Sequence, residues 1–202
     1  IEAKMVQPDE DNMLAVCTYM TKVALDARII DPEAEEYDGG KVALYAEKII
    51  EINEANPGTA QAVFCDTNTP KKDAFSVYQA LRERLVRSGE FAENEIAFVH
   101  DAANDKQRLA MFENVNNAEI KIIIGSTGKL GTGVNIQRKL SALHHLDAPY
   151  RPSEVEPIQR NFLSNFIIKI INQACRRTYS KHQVSEYAHR QHLQVREPQS
   201  AL

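Results

Sequence analysis

The sequence has no tryptophan, only three cysteines, and just eight glycines and eight prolines among 202 residues. That excludes collagen and a Gly/Pro-rich low-complexity chain. Cys17, Cys65 and Cys175 are far apart and odd in number, so they offer neither a disulfide framework nor a zinc spacing. They read as free thiols packed in the core. No run approaches the roughly 18 apolar residues of a membrane span, and the first residues, IEAKMVQPDEDN, lack the basic-then-apolar order of a signal peptide. A cytoplasmic protein is the expectation. Ile1 is not a start methionine, which suggests a cropped fragment. What is present is ordinary: 43% hydrophobic and 26% charged residues are enough for a packed core.

Positive charge is scarce as well, but unevenly so. The net charge of −4 argues against a chain living on nucleic acid. Yet residues 161–202 carry six Lys/Arg (Lys169, Arg176, Arg177, Lys181, Arg190, Arg196) against Glu186 and Glu197, which makes that tail basic and the first 160 residues acidic. The composition change predicts three parts: a lead-in over 1–39, a domain over 40–160 and a basic tail over 161–202 that is helical in pattern. Within the tail, Phe162, Phe166 and Ile170 with Leu163, Ile167 and Ile171 form a stripe suited to packing on the sheet or on another subunit.

From Gly40 the pattern alternates. Lys41 to Ala55 places Val42, Tyr45, Ile49 and Ile52 on one helical face, and Asn56-Pro57-Gly58 ends it. Ala60 to Cys65 is a short apolar run suited to a buried strand. DTNTP (Asp66 to Pro70) is a loop able to cap the next element, a helix from Asp73 to Arg87 through Ala74, Val77, Leu81 and Leu85. Ile96 to Val99 is the second strand. Asn104 to Val115 is a third helix with Leu109, Phe112 and Val115 on one face. Ile120 to Ile124 and Ala142 to Leu146 are the third and fourth strands. Strands alternating with helices of this length predict a three-layer α/β domain with a mostly parallel sheet. Ligands of such sheets gather at the carboxyl ends of the strands, here DTNTP, HDAAND, GSTGKLGTG and DAPYRP.

GSTGKLGTG fits neither phosphate cradle. The residue after Lys129 is Leu130, not Ser or Thr, and Gly128, Gly131 and Gly133 reverse the dinucleotide spacing. It remains a polar, glycine-permissive loop with hydroxyls on Ser126, Thr127 and Thr132 and a cation on Lys129. Such a loop suits backbone phosphates; the alternative is an ordinary strand-to-helix turn. His100 reads either as a phosphate or base contact or as a ring bonded to loop backbone. Arg108 reads as a phosphate contact or a surface ion pair. Tyr150-Arg151 reads as a nucleotide clamp or a packed turn. His144-His145 sends one ring to each sheet face, which argues against a metal pair, and His182, His189 and His192 lack the company of other metal ligands.

Taken in order, these blocks resemble a known family. DNMLAV with ALDARIIDP, VFCDTNTPK, IAFVHDA, KQRLAMFENV, IIIGSTGKLGTGVNIQ and ALHHLDAPYRPSEVE, over residues 11–156, resemble the second RecA-like domain of superfamily 2 helicases of the Swi/Snf type. The likeness is greatest to plasmid- and phage-borne fusions of an adenine methylase with such a helicase. The resemblance implies a C-terminal motor lobe of a DNA-dependent ATPase or translocase. Its partners would be DNA, an N-terminal RecA-like lobe and a methylase region, with no membrane. ATP and Mg2+ would be bound only by the complete two-lobe protein, because the Walker lysine and acids belong to the other lobe. It implies DNA contacts from Thr67, His100, Arg108, Ser126, Thr127 and Lys129, and ATP binding or coupling by Gly131, Gly133, Asn135, Asp147 and Arg151. The family's arginine finger follows a Gln-Arg-x-Gly-Arg motif. Here Pro157 stands in place of the glutamine and no Gly-Arg follows, leaving Arg160 as a displaced catalytic candidate. The alternative is a degenerate lobe that only binds nucleic acid or a protein.

Overall fold

The structure is a computed structural model that describes residues 13–70, 74–130 and 134–147. These residues lie in one compact unit. Its frame is a four-stranded, all-parallel sheet: β1 (Ala60–Phe64), β2 (Ile96–Phe98), β3 (Ile122–Gly125) and β4 (Leu140–His145), in the order β2-β3-β1-β4. The central pair β1 and β3 is buried along its whole length. Strands covered on both faces read as continuous apolar runs, which is why AQAVFC and IKIII stand out in the sequence.

Among the described residues, five α-helices accompany the sheet: α1 (Met13–Leu25), α2 (Lys41–Ala55), α3 (Val77–Arg87), α4 (Asp105–Asn117) and the single turn α5 (Thr127–Leu130). On one face, Ile49 of α2 and Leu81 and Leu85 of α3 pack on Val63, Ile122 and Ile124. On the other, Phe112 and Val115 of α4, Leu130 of α5 and Ile136 pack on Ala62, Phe64 and Ile123. The crossovers β1-α3-β2 and β2-α4-β3 run in opposite directions along the sheet. Crossovers of one hand must then place their helices on opposite faces, as they do here. The result is the expected three-layer α/β arrangement, consistent with a RecA-like fold.

Several helix boundaries follow from local chemistry. α2 has the expected limits, and beyond it Gly58 takes a positive φ of 75°. α3 starts at Val77 rather than Asp73, because the cap comes from far back in the loop. The Val77 amide donates to Asn68 Oδ1 at 2.7 Å, while Ser76 at the cap position makes no side-chain bond. Asn104 caps α4 through the Gln107 amide at 2.9 Å. Leu109, expected on the buried face of α4, is exposed instead, and that helix buries Phe112, Val115 and Asn116.

Helix α1 is not legible as an element in the sequence. It is apolar on nearly every side, so no contrast between faces marks it. Cys17 lies on it and is exposed, correcting the expectation of a core thiol; Cys65 is buried as expected. The basic tail and the stripe from Phe162 fall outside the described residues. Among the described residues, no helix is long and apolar enough to cross a membrane.

Candidate functional site

In this topology β1 and β3 are neighbours, and the chain leaves their carboxyl ends toward opposite faces of the sheet. That is the switch point where α/β sheets open a crevice. Three strand-end segments meet there, joined by two carboxylates.

The first carboxylate is Asp147, just past β4 and 6% exposed. It accepts from the Asp66 amide at 2.9 Å and from the Thr67 amide, both just past β1. The Cys65 thiol also points at it, at 3.9 Å, and burial pushes that thiol up to about 12, with Asp147 adding to the shift. The Tyr78 hydroxyl donates to the Cys65 carbonyl at 2.6 Å. Asn68, two residues past Asp66, caps α3. The start of this loop and its junction with α3 are therefore held.

The second carboxylate is Asp66 itself. It accepts from the Thr127 amide at 2.8 Å, joining the end of β1 to the end of β3. The Lys129 and Leu130 amides close the short turn on the Ser126 carbonyl, and packing adds to this. Leu130 is fully buried, and its side chain lies where a Cβ on Gly125 would sit, 2.7 Å away. A side chain at the last position of β3 would have to displace Leu130. This seats α5 and brings Thr127 to the crevice.

One polar side-chain atom of the β3 loop lacks a partner. Thr127 Oγ1 is buried with no hydrogen-bond partner, as are Nδ1 of His100 and both ring nitrogens of His145. His100 lies in the turn after β2, edge-on to the Tyr78 ring at 5.5 Å. Burial, then the charge of Lys129, lowers its pKa and so favours the neutral ring. Lys129 is exposed on α5. His145 stacks on Phe64 at 4.9 Å; burial lowers its pKa, against the opposing pull of Asp147 and Asp66.

Its neighbour His144 faces the other way, as strand alternation requires. The Gln61 amide donates to the Ile49 carbonyl at 2.9 Å, so Gln61 Oε1 faces His144 Nε2, 2.7 Å away, as acceptor. This fixes the tautomer, and burial brings the pKa of His144 down to about 3, with the charges of His145 and Lys48 adding. The Tyr45 hydroxyl donates to the His145 carbonyl.

The structure therefore brings Thr67, His100, Ser126, Thr127, Lys129 and Asp147 to one edge of the sheet. Arg108 lies on the first turn of α4 and is paired with Asp105 at 2.9 Å, the ion pair weighed against a phosphate contact. Asn135 is elsewhere: its carbonyl accepts from Asn116 near the C-terminus of α4, toward the amino edge. Gly131, Gly133, Arg151 and Arg160 lie outside the described residues. Sequence reasoning passes over Asp66, whose only signal is its place as the first polar residue past a buried strand. Among the described residues, no group of three or more His, Cys, Asp or Glu is arranged to hold a metal. No protein-family model matches the chain, and no curated protein is detectably similar to it.

Proposed function

We propose that the chain is the C-terminal motor lobe of a DNA-dependent ATPase, helicase or translocase of the Swi/Snf type, touching the nucleic-acid backbone through the loop after β3. The observation that carries this reading is the unpartnered Thr127 hydroxyl beside exposed Lys129 at the switch point. A buried hydroxyl without a partner costs free energy, so its retention at a ligand crevice favours a partner that arrives from outside. A phosphodiester accepts from a hydroxyl and attracts an ammonium, and neither contact reads a base. The order of sequence blocks over residues 11–156 supports the same reading.

In this reading Asp147 and Asp66 position the loops rather than touch ATP. Asp147 is already occupied by the β1 loop, and Asp66 by the Thr127 amide. ATP and Mg2+ would be held mainly by the N-terminal lobe, so the isolated chain hydrolyses no ATP with or without DNA. The second reading, a lobe that only binds, is favoured by one feature: Pro157 stands where an arginine-finger motif would begin. Both are tested by DNA binding of the full chain over a range of salt. Replacing Ser126, Thr127 and Lys129 together by alanine weakens binding equally across sequences and lowers the salt slope by roughly one unit. Unchanged affinity would remove this loop as a contact. The readings separate when the chain is joined to a lobe carrying the Walker residues. Loss of turnover in Arg160→Ala supports the motor, and absence of any DNA-stimulated turnover supports the binding module.

A further inference from the structure

Arg28 stands on a single 3-10 turn, Ala27–Ile29, that follows α1. The core seats this turn: Leu25 before it is buried, and Ile29 packs against the same apolar cluster. Asp26 caps it by accepting from the Arg28 amide at 3.0 Å. The same carboxylate takes the Arg28 side chain through two further bonds, from Nε at 2.9 Å and from Nη2 at 2.8 Å. A two-pronged pair of this kind fixes the plane of a guanidinium as well as its place. So held, the guanidinium carbon lies over the Phe75 ring, 4.7 Å from its centre, where the negative face of the ring attracts a cation.

Phe75 belongs to the loop after β1, two residues before α3. Its carbonyl accepts from Asn68 Nδ2 at 3.4 Å, and the oxygen of that same side-chain amide accepts from the Val77 amide at 2.7 Å. Asn68 is two residues past Asp66, which receives the Thr127 amide at 2.8 Å. A path of direct contacts thus runs from Arg28 through Phe75, Asn68 and Asp66 to the loop after β3.

The stretch that carries Arg28 is clamped again at the other end of α3. Arg84 reaches Glu36 at 2.6 Å and Asp38 at 2.7 Å, and Arg87 reaches Glu36 at 3.3 Å. Because α3 runs back from the carboxyl edge of a parallel sheet, this clamp lies at the amino edge, away from Thr127. Residues 26–38 therefore grip the α3 segment at both ends, and the two grips serve different ends. One fixes the last turn of a helix. The other fixes a loop that leads into the crevice.

We infer that Arg28 is a positioning residue for the crevice: by fixing Phe75 it sets where the loop after β1 presents Asp66, and through Asp66 where the loop after β3 presents Thr127. The inference rests on the reading of Thr127 as a nucleic-acid contact only for the ligand; the positioning is a property of the free chain.

The test uses the full chain, first without DNA. Arg28→Ala is expected to speed exchange of the Thr67 and Thr127 amides by about tenfold, while the Ile123 amide in the central strand β3 exchanges as before. Phe75→Leu keeps apolar packing but removes the ring face, and is expected to have the same effect. The two effects should not add in the double variant, since each removes the same contact. Arg84→Ala, at the distant clamp, is expected to leave Thr127 exchange unchanged. Acceleration that includes Ile123 overturns the inference by making Arg28 a general stabiliser. Thr127 exchange unmoved by both Arg28→Ala and Phe75→Leu, additive effects of the two, or an equal effect of Arg84→Ala overturns it as well. With DNA present, Arg28→Ala is expected to weaken binding on the order of tenfold with the salt slope unchanged. A slope lower by roughly one unit would make Arg28 itself a phosphate contact and overturn the positioning role. Faster Thr127 exchange with DNA affinity unaltered supports the positioning role and counts against the nucleic-acid reading alone.

Discussion

The loops after β1 and β3 sit side by side and carry similar residues, Asp-Thr-Asn-Thr and Ser-Thr-Gly-Lys, yet their described polar groups are satisfied to different extents. The β1 loop is closed upon the protein. Asp147 holds two of its amides, Tyr78 holds a carbonyl, and Asn68 caps the next helix. Among the described residues, the β3 loop is tied to the β1 loop by the Thr127 amide on Asp66, and its short turn is closed by the Lys129 and Leu130 amides on the Ser126 carbonyl and by the burial of Leu130. A hydroxyl or amide already bonded inside the protein has little left to offer a ligand. The comparison therefore identifies which polar loop is scaffold and which is available, a distinction that composition does not make.

The largest effect is expected on the scaffold side. Asp147→Ala leaves the Asp66 and Thr67 amides without their acceptor, and should cost about 3 kcal/mol in urea unfolding, summing the penalties for unmade buried bonds. If it costs no more than an alanine at Thr127, the contrast between the loops fails.

Next is an acid sensitivity located behind the scaffold. His144 binds its proton in the unfolded chain near the ordinary value of about 6.5 but in the folded chain only near 3. The unfolded state thus takes up more protons between those values, and stability falls as pH drops through that window. It is constant above it. A loss of about 2 kcal/mol between pH 7 and pH 5 is expected from this one group, and His144→Gln should flatten the curve. A slope unchanged by that substitution would assign the sensitivity to other residues.

Gly125→Ala sharpens the comparison from the other side. Its new Cβ would meet the Leu130 side chain and displace α5, at a cost of about 1–2 kcal/mol. DNA affinity should fall although no contact residue is changed. The smallest stability effect belongs to Thr127→Ala: its hydroxyl has no partner, so the change in unfolding free energy should be under about 0.5 kcal/mol. A marked loss of stability would show that the hydroxyl caps the turn after all.

Much of the frame can be read from residue order alone. β1 and β3 stand out because a strand buried on both faces needs an unbroken apolar run, and α2 because one face alone is buried. Leu109 misleads because periodicity marks a stripe without showing how far the sheet extends beneath it. α1 escapes because it has no polar face to contrast with an apolar one. The site is legible as an edge, since parallel strands send their carboxyl ends to one side. The roles within it are not. Resemblance alone places Asp147 with ATP, whereas its bonds to the β1 loop link residues 80 and 81 positions apart, which no local pattern records. The bonds that hold the Thr67 and Thr127 amides likewise go to partners distant in sequence.

Asp66 receives a bond from β3's loop while its own amide is held from β4's loop, so three strand ends form a chain of two links. Amide exchange would reveal this as shared timing. The Thr127 amide, on a turn too short to protect itself, is expected to exchange slowly only while Asp147 holds Asp66 in place, and removing the Asp147 carboxylate should release the Asp66, Thr67 and Thr127 amides together. A phosphate arriving at the β3 loop, two strands away from the anchoring Asp147, would then be registered in the exchange rates at the end of β1.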